Sequence, residues 1–235
     1  GAVINPGLYL MNEQDTILDA IEKAGGYSKN AYPFGIIYEN LVAEEINRNA
    51  KDILYNKFLE NIINTSQKGP VNQDFSSILQ ITSQLKDINV SGRIVADFLS
   101  LDQETPILVS NGDIITVPEF QNQVFLFGEL SAEGATEFKE GMDIEFYFNM
   151  KGGIKNTADK KNIYILQPNG VTEKINFNKN VFVNQEKNTK IYPGSIVFVP
   201  KRLDDRSSRA LIAQAYATIL GNIGVSLASI SVLKD

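Results

Sequence analysis

The stretch Ile17-Leu-Asp-Ala-Ile-Glu-Lys-Ala-Gly25-Gly26, followed by Asn30-Ala31 and the apolar Ile36-Ile37-Tyr38, reads as a helix stopped by a glycine pair, a short loop and a strand. It returns as Ile144-Glu-Phe-Tyr-Phe-Asn-Met-Lys-Gly152-Gly153, then Thr157-Ala158 and Ile163-Tyr164-Ile165. Ile17, Gly25, Gly26, Ala31 and Ile36 meet Ile144, Gly152, Gly153, Ala158 and Ile163 at one constant offset, which marks an internal repeat. Upstream, Pro6-Gly7 meets Glu133-Gly134 at the same offset, and the hydrophobic runs Ala2 to Met11 and Val124 to Leu130 each read as a strand ending in a turn. Downstream, Asn111-Gly112-Asp113-Ile114-Ile115-Thr116-Val117-Pro118 pairs with Tyr192-Pro193-Gly194-Ser195-Ile196-Val197-Phe198-Val199-Pro200 at a smaller offset. The first copy therefore carries an insertion between Tyr38 and Gly112.

Each copy thus runs strand, turn, helix, Gly-Gly, strand, and a Gly-led strand ending in Val-Pro. One helix against a small mixed sheet is an α+β arrangement. Gly25, Gly26, Gly152 and Gly153 read as structural turn residues, because the position just past a helix takes positive φ and glycine does so freely. A phosphate cradle would need glycines ahead of a helix, where free N–H groups point outward.

Composition narrows the function classes. The chain has 235 residues, 43% hydrophobic and 21% charged, in the range of a globular protein. It contains no cysteine and no histidine. That removes thiol nucleophiles, Cys- or His-ligated zinc and every Ser-His or Cys-His mechanism. A formal net charge of −6 and a pI near 4.9 argue against nucleic acid, whose phosphates need a basic footprint. No P-loop, dinucleotide fingerprint, EF-hand loop or Gly-x-Ser-x-Gly elbow occurs. No catalytic residue, metal site or cofactor is expected. Gly1-Ala2-Val3-Ile4 enters a strand with no charged leader, so the chain is expected to be a mature or excised segment.

The insertion spans 41–86. Val42, Ile46, Ala50, Leu54, Phe58 and Ile62 recur every fourth residue among charges, which predicts a long helix over Leu41 to Ile63. Gly69-Pro70 breaks it, and Phe75, Ile78, Leu79, Thr82 and Leu85 form one face of a return helix, giving a helical hairpin. The hairpin reads either as a structural buttress or as a partner-binding arm. Glu44 and Glu45 are adjacent, diverge on a helix and are not a catalytic pair. Pro168-Asn169-Gly170 predicts a hairpin turn, Asn178 to Asn188 a polar loop, and Glu119 to Val124 a linker too short for free motion of the copies.

From Ala210 to Leu233 there is no charged residue. A helix there would be roughly 36 Å long at ~1.5 Å per residue, enough for a ~30 Å hydrocarbon core. Gln214, Thr218, Asn222 and Ser226 form a polar stripe, with Tyr216, Leu220, Ile223, Leu227 and Ile230 largely opposite. Ala213, Ala217, Gly221, Gly224 and Ala228 supply small residues for close helix packing. Several such helices in a ring would turn the stripe toward a water-filled lumen. The other reading is a helix packed on its own domain.

The order Pro-Gly-x-Tyr, helix, Ala-Gly-Gly, an Ala-led strand and the closing Gly112-Asp113-x-Ile115-x-Val117-Pro118 resembles the soluble-ligand-binding β-grasp (SLBB) domain found in tandem in bacterial capsule and exopolysaccharide export proteins. The second copy departs from that pattern at Lys151, where the first has Ala, and at Ser195, where it has Asp. The resemblance implies two tandem ubiquitin-like β-grasp domains, at 1–118 with the hairpin inserted and at 119–201, followed by a C-terminal amphipathic helix at 202–235. It also implies a homo-oligomeric ring in the periplasm and outer membrane of a Gram-negative bacterium, passing a polysaccharide through a helical pore. The pore would be lined by Gln214, Thr218, Asn222 and Ser226, meet outer-membrane lipid, and have an inner-membrane polysaccharide co-polymerase as partner. The family's amino-terminal export domain is not in this stretch, in keeping with an excised segment. A soluble-ligand or glycan-binding module and a structural periplasmic spacer are the alternatives.

Overall fold

The structure, a computed structural model, describes residues 1–66, 73–96, 106–177 and 189–202, together with 215, 216, 218 and 219. The first half contains α1 (Ile17–Lys23), β1 (Ile37–Glu39), α2 (Leu41–Ser66), α3 (Gln73–Asp87), β2 (Arg93–Ile94) and β3 (Ile114–Thr116). The second contains β4 (Gln123–Gly128), β5 (Gly134–Glu137), α4 (Ile144–Met150), β6 (Ile163–Leu166), β7 (Thr172–Ile175) and β8 (Ile196–Val199). The chain is a mixed α+β protein, with two sheets among the described residues. The first has order β2-β1-β3, antiparallel throughout. The second has order β5-β4-β8-β6-β7, with β4 and β8 parallel and the other pairs antiparallel.

Local chemistry starts and stops each short helix. The Thr16 hydroxyl accepts from the Asp19 N–H (3.2 Å) and the Asp19 carboxylate accepts from the Thr16 N–H (2.7 Å), a reciprocal cap. Asp143 does the simpler version for α4, accepting from the Phe146 N–H at 3.0 Å. At the other end, the Gly26 N–H donates to the Ile21 carbonyl (2.9 Å) and the Gly25 N–H to Glu22 (2.8 Å). Gly153 and Gly152 repeat this on Phe148 and Asn149 at 2.8 and 3.0 Å. This closure of the last carbonyls needs positive φ, and the four glycines stand at 85°, 87°, 76° and 90°.

Each helix buries one face on its sheet. Ile17 and Ile21 enter a core with Ala2, Ile36, Tyr38, Val109 and Val117. Ile144, Tyr147 and Phe148 enter one built on Val124, Leu126, Ile163, Ile165, Val197 and Val199. The repeat is visible in the backbone as well. The bridge between Val3 and Tyr27 recurs as Leu130 with Ile154, and Ala31 with Glu119 recurs as Ala158 with Lys201.

The two departures of the second copy are absorbed differently. Asp113 accepts from Tyr38 Oη (2.5 Å), Asn40 Nδ2 (2.7 Å) and the Ser110 N–H (2.6 Å), tying the β3 turn to the end of β1. Ser195, fully buried, occupies the equivalent place: its Oγ accepts from the Tyr192 N–H (3.0 Å) and donates to Gln167 Oε1 (2.7 Å). Gln167 stands at the repeat position of Asn40, so the pair has changed together and reversed its donor. Lys151 instead turns its Nζ to the Ala135 carbonyl of β5, at 2.7 Å.

Two expectations need correction. The run Ala2 to Met11 forms no strand; it makes one isolated bridge, at Val3, and among the described residues the first half has no counterpart of β4 or β5. The apolar stripe of α2 is buried only in its middle, at Leu54 and Phe58, whereas Val42 and Ile46 are exposed; the contact of that end with the rest of the first half runs through Asn47, which donates to the Ser91 carbonyl at 3.0 Å. The hairpin itself forms, longer at both helices' ends than the periodicity alone required, and the Pro168-Asn169-Gly170 turn joins β6 to β7. The polar loop expected at Asn178 to Asn188 lies outside the described residues.

Gly26→Val should destabilise the protein by about 1 to 3 kcal/mol of backbone strain. Gly25→Val should cost more, since a Cβ there would also meet Ile4 Cβ at 3.1 Å. Urea unfolding midpoints of the two variants check the order. Ser195→Ala leaves a buried N–H and a buried amide oxygen without this hydroxyl and should cost about 1 to 3 kcal/mol, read in the same titration.

Candidate functional site

Two joints position everything outside the two sheets. The first is between the halves. Residue 119 is pinned by its bridge to Ala31, and the Phe120 N–H donates to the Asn30 carbonyl at 2.9 Å. The Phe120 ring meets Tyr32 edge-on at 5.4 Å, and Phe34 lies over Tyr192 of the second half at 4.5 Å. On β2, Arg93 donates from Nη2 to the Pro168 carbonyl at 2.7 Å. A Cβ on Gly170 would come within 2.8 Å of Arg93 Nε, so the guanidinium lies directly on the β6–β7 turn.

Arg93 stands opposite Glu39 in the β1–β2 register. Burial pulls its pKa down to about 10, against the opposing pull of the Glu39 charge. Burial raises Glu39 in turn, and the nearby Arg93 cation offsets part of that. The Arg93 Nε is buried without a hydrogen-bond partner among the described residues. A buried cation is costly unless opposite charge and acceptors surround it. Here Glu39 comes from the first half and Pro168 from the second, so the charge is accommodated only with the halves in this orientation.

The second joint receives the C-terminal segment. Ala215 is fully buried among Leu54, Phe58, Ile81 and Leu85 of the hairpin, with Ile62 and Ile219 beside it. Tyr216 packs against this cluster too and also reaches the outer face of the second sheet, its ring 4.8 Å from Phe198 and 6.3 Å from Tyr164. Phe125, Phe127, Leu166 and Ile196 complete that face. A wholly buried side chain of this size contributes about 1.5 to 3 kcal/mol, and Tyr216 and Ile219 are half-buried. Ala215 and Tyr216 thus sit between the inserted hairpin of the first half and a sheet of the second. Burial, then the Glu129 charge, pushes Tyr216 up to about 12. Burial does the same to Tyr164, with Asp159 and Tyr216 adding to it.

The glycine pairs lie where the repeat placed them, as helix stops. Of the residues expected to line a pore, Thr218 is half-buried next to this seat; Gln214, Asn222 and Ser226 lie outside the described residues, as do Ala213, Ala217, Gly221, Gly224 and Ala228. Tyr216, expected on the lipid side of the helix, rests on protein. Among the described residues no helix is long and apolar enough to cross a membrane, and no group of three or more acidic, His or Cys residues could hold a metal.

Asp15, Asp19 and Glu44 have structural partners. Asp15 bonds Lys23 at 2.5 Å, which together with the Asn12 N–H holds it below its ordinary range. Asp19 is lowered by its Thr16 cap. Glu44 pairs with Arg48 one turn along α2. With their pKa lowered, Asp15 and Asp19 are not poised as proton donors near neutrality. The aromatic joint and Arg93 were not identified from sequence. The only signal was the Gly92-Arg93 start of a strand, and its partner turn is far away in the chain.

Comparison with known proteins matches the two halves separately. The family model for the SLBB domain matches residues 1–37. The family model described as capsule biosynthesis GfcC C-terminal matches residues 132–215, ending on the buried Ala215. Two Escherichia coli proteins named polysialic acid transport protein KpsD are each 22% identical over 153 residues, covering 65% of this chain. The match spans 25% of those relatives' length. The chain resembles the capsule export proteins, as its repeated motif implies.

A tyrosine whose pKa is raised on docking supports the docked state below its free value near 10 and loses that contribution as pH climbs toward 12. The seat should therefore loosen across that window. Tyr216→Phe should keep the packing and flatten the alkaline dependence, while Tyr216→Ala should free the segment at neutral pH. Limited proteolysis after 202, followed against pH, reads both outcomes.

Proposed function

We propose that this chain is part of a capsule-polysaccharide export protein that assembles as a ring and performs no chemistry. Residues 1–118 and 119–201 are its tandem SLBB β-grasp domains, the first carrying the hairpin 41–86, and 202–235 is the C-terminal amphipathic helix. The observation that carries this reading is the doubling of one α+β unit, with Ala215 and Tyr216 of the C-terminal segment packed against both copies. Such a joint suits a subunit that must hold a helix at a set angle around an axis. The separate matches to an SLBB domain and to a capsule biosynthesis domain support the same assignment.

In this reading the protein lies in the periplasm and outer membrane of a Gram-negative bacterium. Copies of the chain are its first partners, an inner-membrane polysaccharide co-polymerase a further one, and the polysaccharide is cargo. Gln214, Thr218, Asn222 and Ser226 line the lumen, and the small residues at Ala213, Ala217, Gly221, Gly224 and Ala228 set the helix spacing. The negative net charge limits non-specific capture of an anionic polymer. A second reading, a periplasmic spacer whose last helix stays docked, is favoured by the packing of Ala215, Tyr216 and Ile219 on protein.

Because the chain has no cysteine, single cysteines at 214, 218, 220, 222, 223, 226 and 227 report directly on the two readings. In membranes holding the assembled protein, an impermeant thiol reagent should label 214, 218, 222 and 226 and spare 220, 223 and 227. Labelling of all seven positions alike, with a monomeric mass in detergent, would favour the spacer and sink the pore.

A further inference from the structure

Helix α2 is apolar on two sides. A strict four-residue spacing turns by about 40° per step on a helix of 3.6 residues per turn, so Val42 and Phe58, which share one such spacing, stand about 160° apart around the axis. Leu54 and Phe58 are buried against Ile81 and Leu85 of α3, and Asn47, on the same side, holds the Ser91 carbonyl. On the opposite side lie Val42, Ile46 and Ile53, which are 65%, 61% and 58% exposed. Asn49 and Asn56, both exposed, fall between and beyond them, all five within about 80° of one another.

The steps from 42 to 46, 49, 53 and 56 alternate four and three, which is the seam of a heptad repeat. Ile46 and Ile53 hold its a positions, and Val42, Asn49 and Asn56 its d positions. Glu60, at the next a position, ends it with a charge. A helix that only covers its own core needs one apolar stripe; the outward seam is surplus to that task and has the spacing that receives another helix. Its flanks say which helix. Glu45 and Asp52 stand at g, Ala50 and Lys57 at e, and all four are exposed. In a parallel pair each g residue faces the e residue five places on in the other helix, so Asp52 meets a Lys57 and Glu45 meets an Ala50. An antiparallel pair would set g against g, acid beside acid. Within its own chain Asp52 only approaches Lys51 at 3.6 Å, with its side chain 60% exposed, and it is open to a second cation.

We propose that the seam from Val42 to Asn56 pairs with the same seam of a second copy of this chain, parallel and in register about a two-fold axis along the helices. Isoleucine at a suits two strands, and an Asn within a seam fixes the register at some cost in stability. Asn49 and Asn56 each meet their own copy across the axis, where an amide both donates and accepts. Asn47, Leu54 and Phe58 point away from the axis, so the two bodies lie outside the pair. The contact is isologous and joins copies two by two; it does not itself close a ring and stands apart from the pore reading. With three apolar positions it is a weak contact, filled where local concentration is high, as in an assembly or at a membrane.

The chain has no cysteine, so single cysteines in the full chain test the pairing. On mild oxidation Asn49→Cys and Asn56→Cys should each give a disulfide-linked dimer, because equivalent d positions of a parallel pair face each other within disulfide reach. Arg48→Cys, equally outward with its side chain 59% exposed but off the seam, should stay monomeric. In sedimentation equilibrium Ile46→Lys should raise the dimer Kd by about tenfold or more, with the thermal melt unchanged because Ile46 is not in the core. Asp52→Lys should weaken the dimer, and adding Lys57→Asp should restore it. A chain that stays monomeric up to roughly 1 mM and gives no linkage at 49 or 56 overturns the proposal. Association that Ile46→Lys leaves unchanged, linkage at 48 equal to that at 49, or linkage at 49 without 56 overturns it as well. Thiol labelling of the C-terminal positions reads the pore alone, so either proposal can fail without the other.

Discussion

Two consecutive residues with positive φ at the end of a two-turn helix are the constraint on which each half depends. A helix of seven residues is too short to stand on its own, so it must be closed at both ends and pressed on a sheet. The glycine pair closes its carbonyls and reverses the chain within two residues. That reversal brings the following segment back beside the residues ahead of the helix, at Val3 with Tyr27 and again at Leu130 with Ile154. Ile36, just ahead of β1, and Ile163, the first residue of β6, then lie beneath the helix they follow, and both are fully buried.

The halves share this plan and differ in what surrounds it. The second core is closed by five strands, and its outer face is covered by aromatic residues and Tyr216. The first sheet has three short strands and an inserted hairpin, which meets the second half through the C-terminal segment rather than lying free. Arg93 adds polarity to this joint. An apolar contact such as Phe34 with Tyr192 tolerates sliding, whereas a buried guanidinium between Glu39 and the Pro168 carbonyl is stabilised at one relative position. The hairpin thus behaves as a buttress in this structure, while Leu41, Val42 and Ile46 at its start remain exposed.

Much of the fold was legible because its signals are local. Helix periodicity, glycine stops, the Pro-Asn-Gly turn and the repeat offset each depend on neighbours within a few residues, and α1, α2, α3, α4 and the β6–β7 hairpin form where those signals stand. The candidate site was less legible. Tyr216 was assigned to lipid because helical spacing separates polar from apolar residues without saying which apolar surface receives them, and a sheet face lined by Phe198 and Tyr164 serves as well as acyl chains. Ser195 looked like a loss of Asp; only its contact with Gln167 shows that both partners of the pair had changed.

The sequence by itself determined the α+β class, the duplication, the insertion, the places of the helices and the exclusion of cysteine and histidine chemistry, since residue type and spacing act through short-range backbone physics. The tertiary structure alone decided which of the described strands neighbour one another, that Arg93 bridges the halves and that Ala215 and Tyr216 sit between hairpin and sheet. Those facts depend on residues far apart in the chain, such as Arg93 with Pro168 and Leu54 with Ala215. Pairings over such distances are chosen by the burial and hydrogen bonding of the whole chain, which no window of sequence contains.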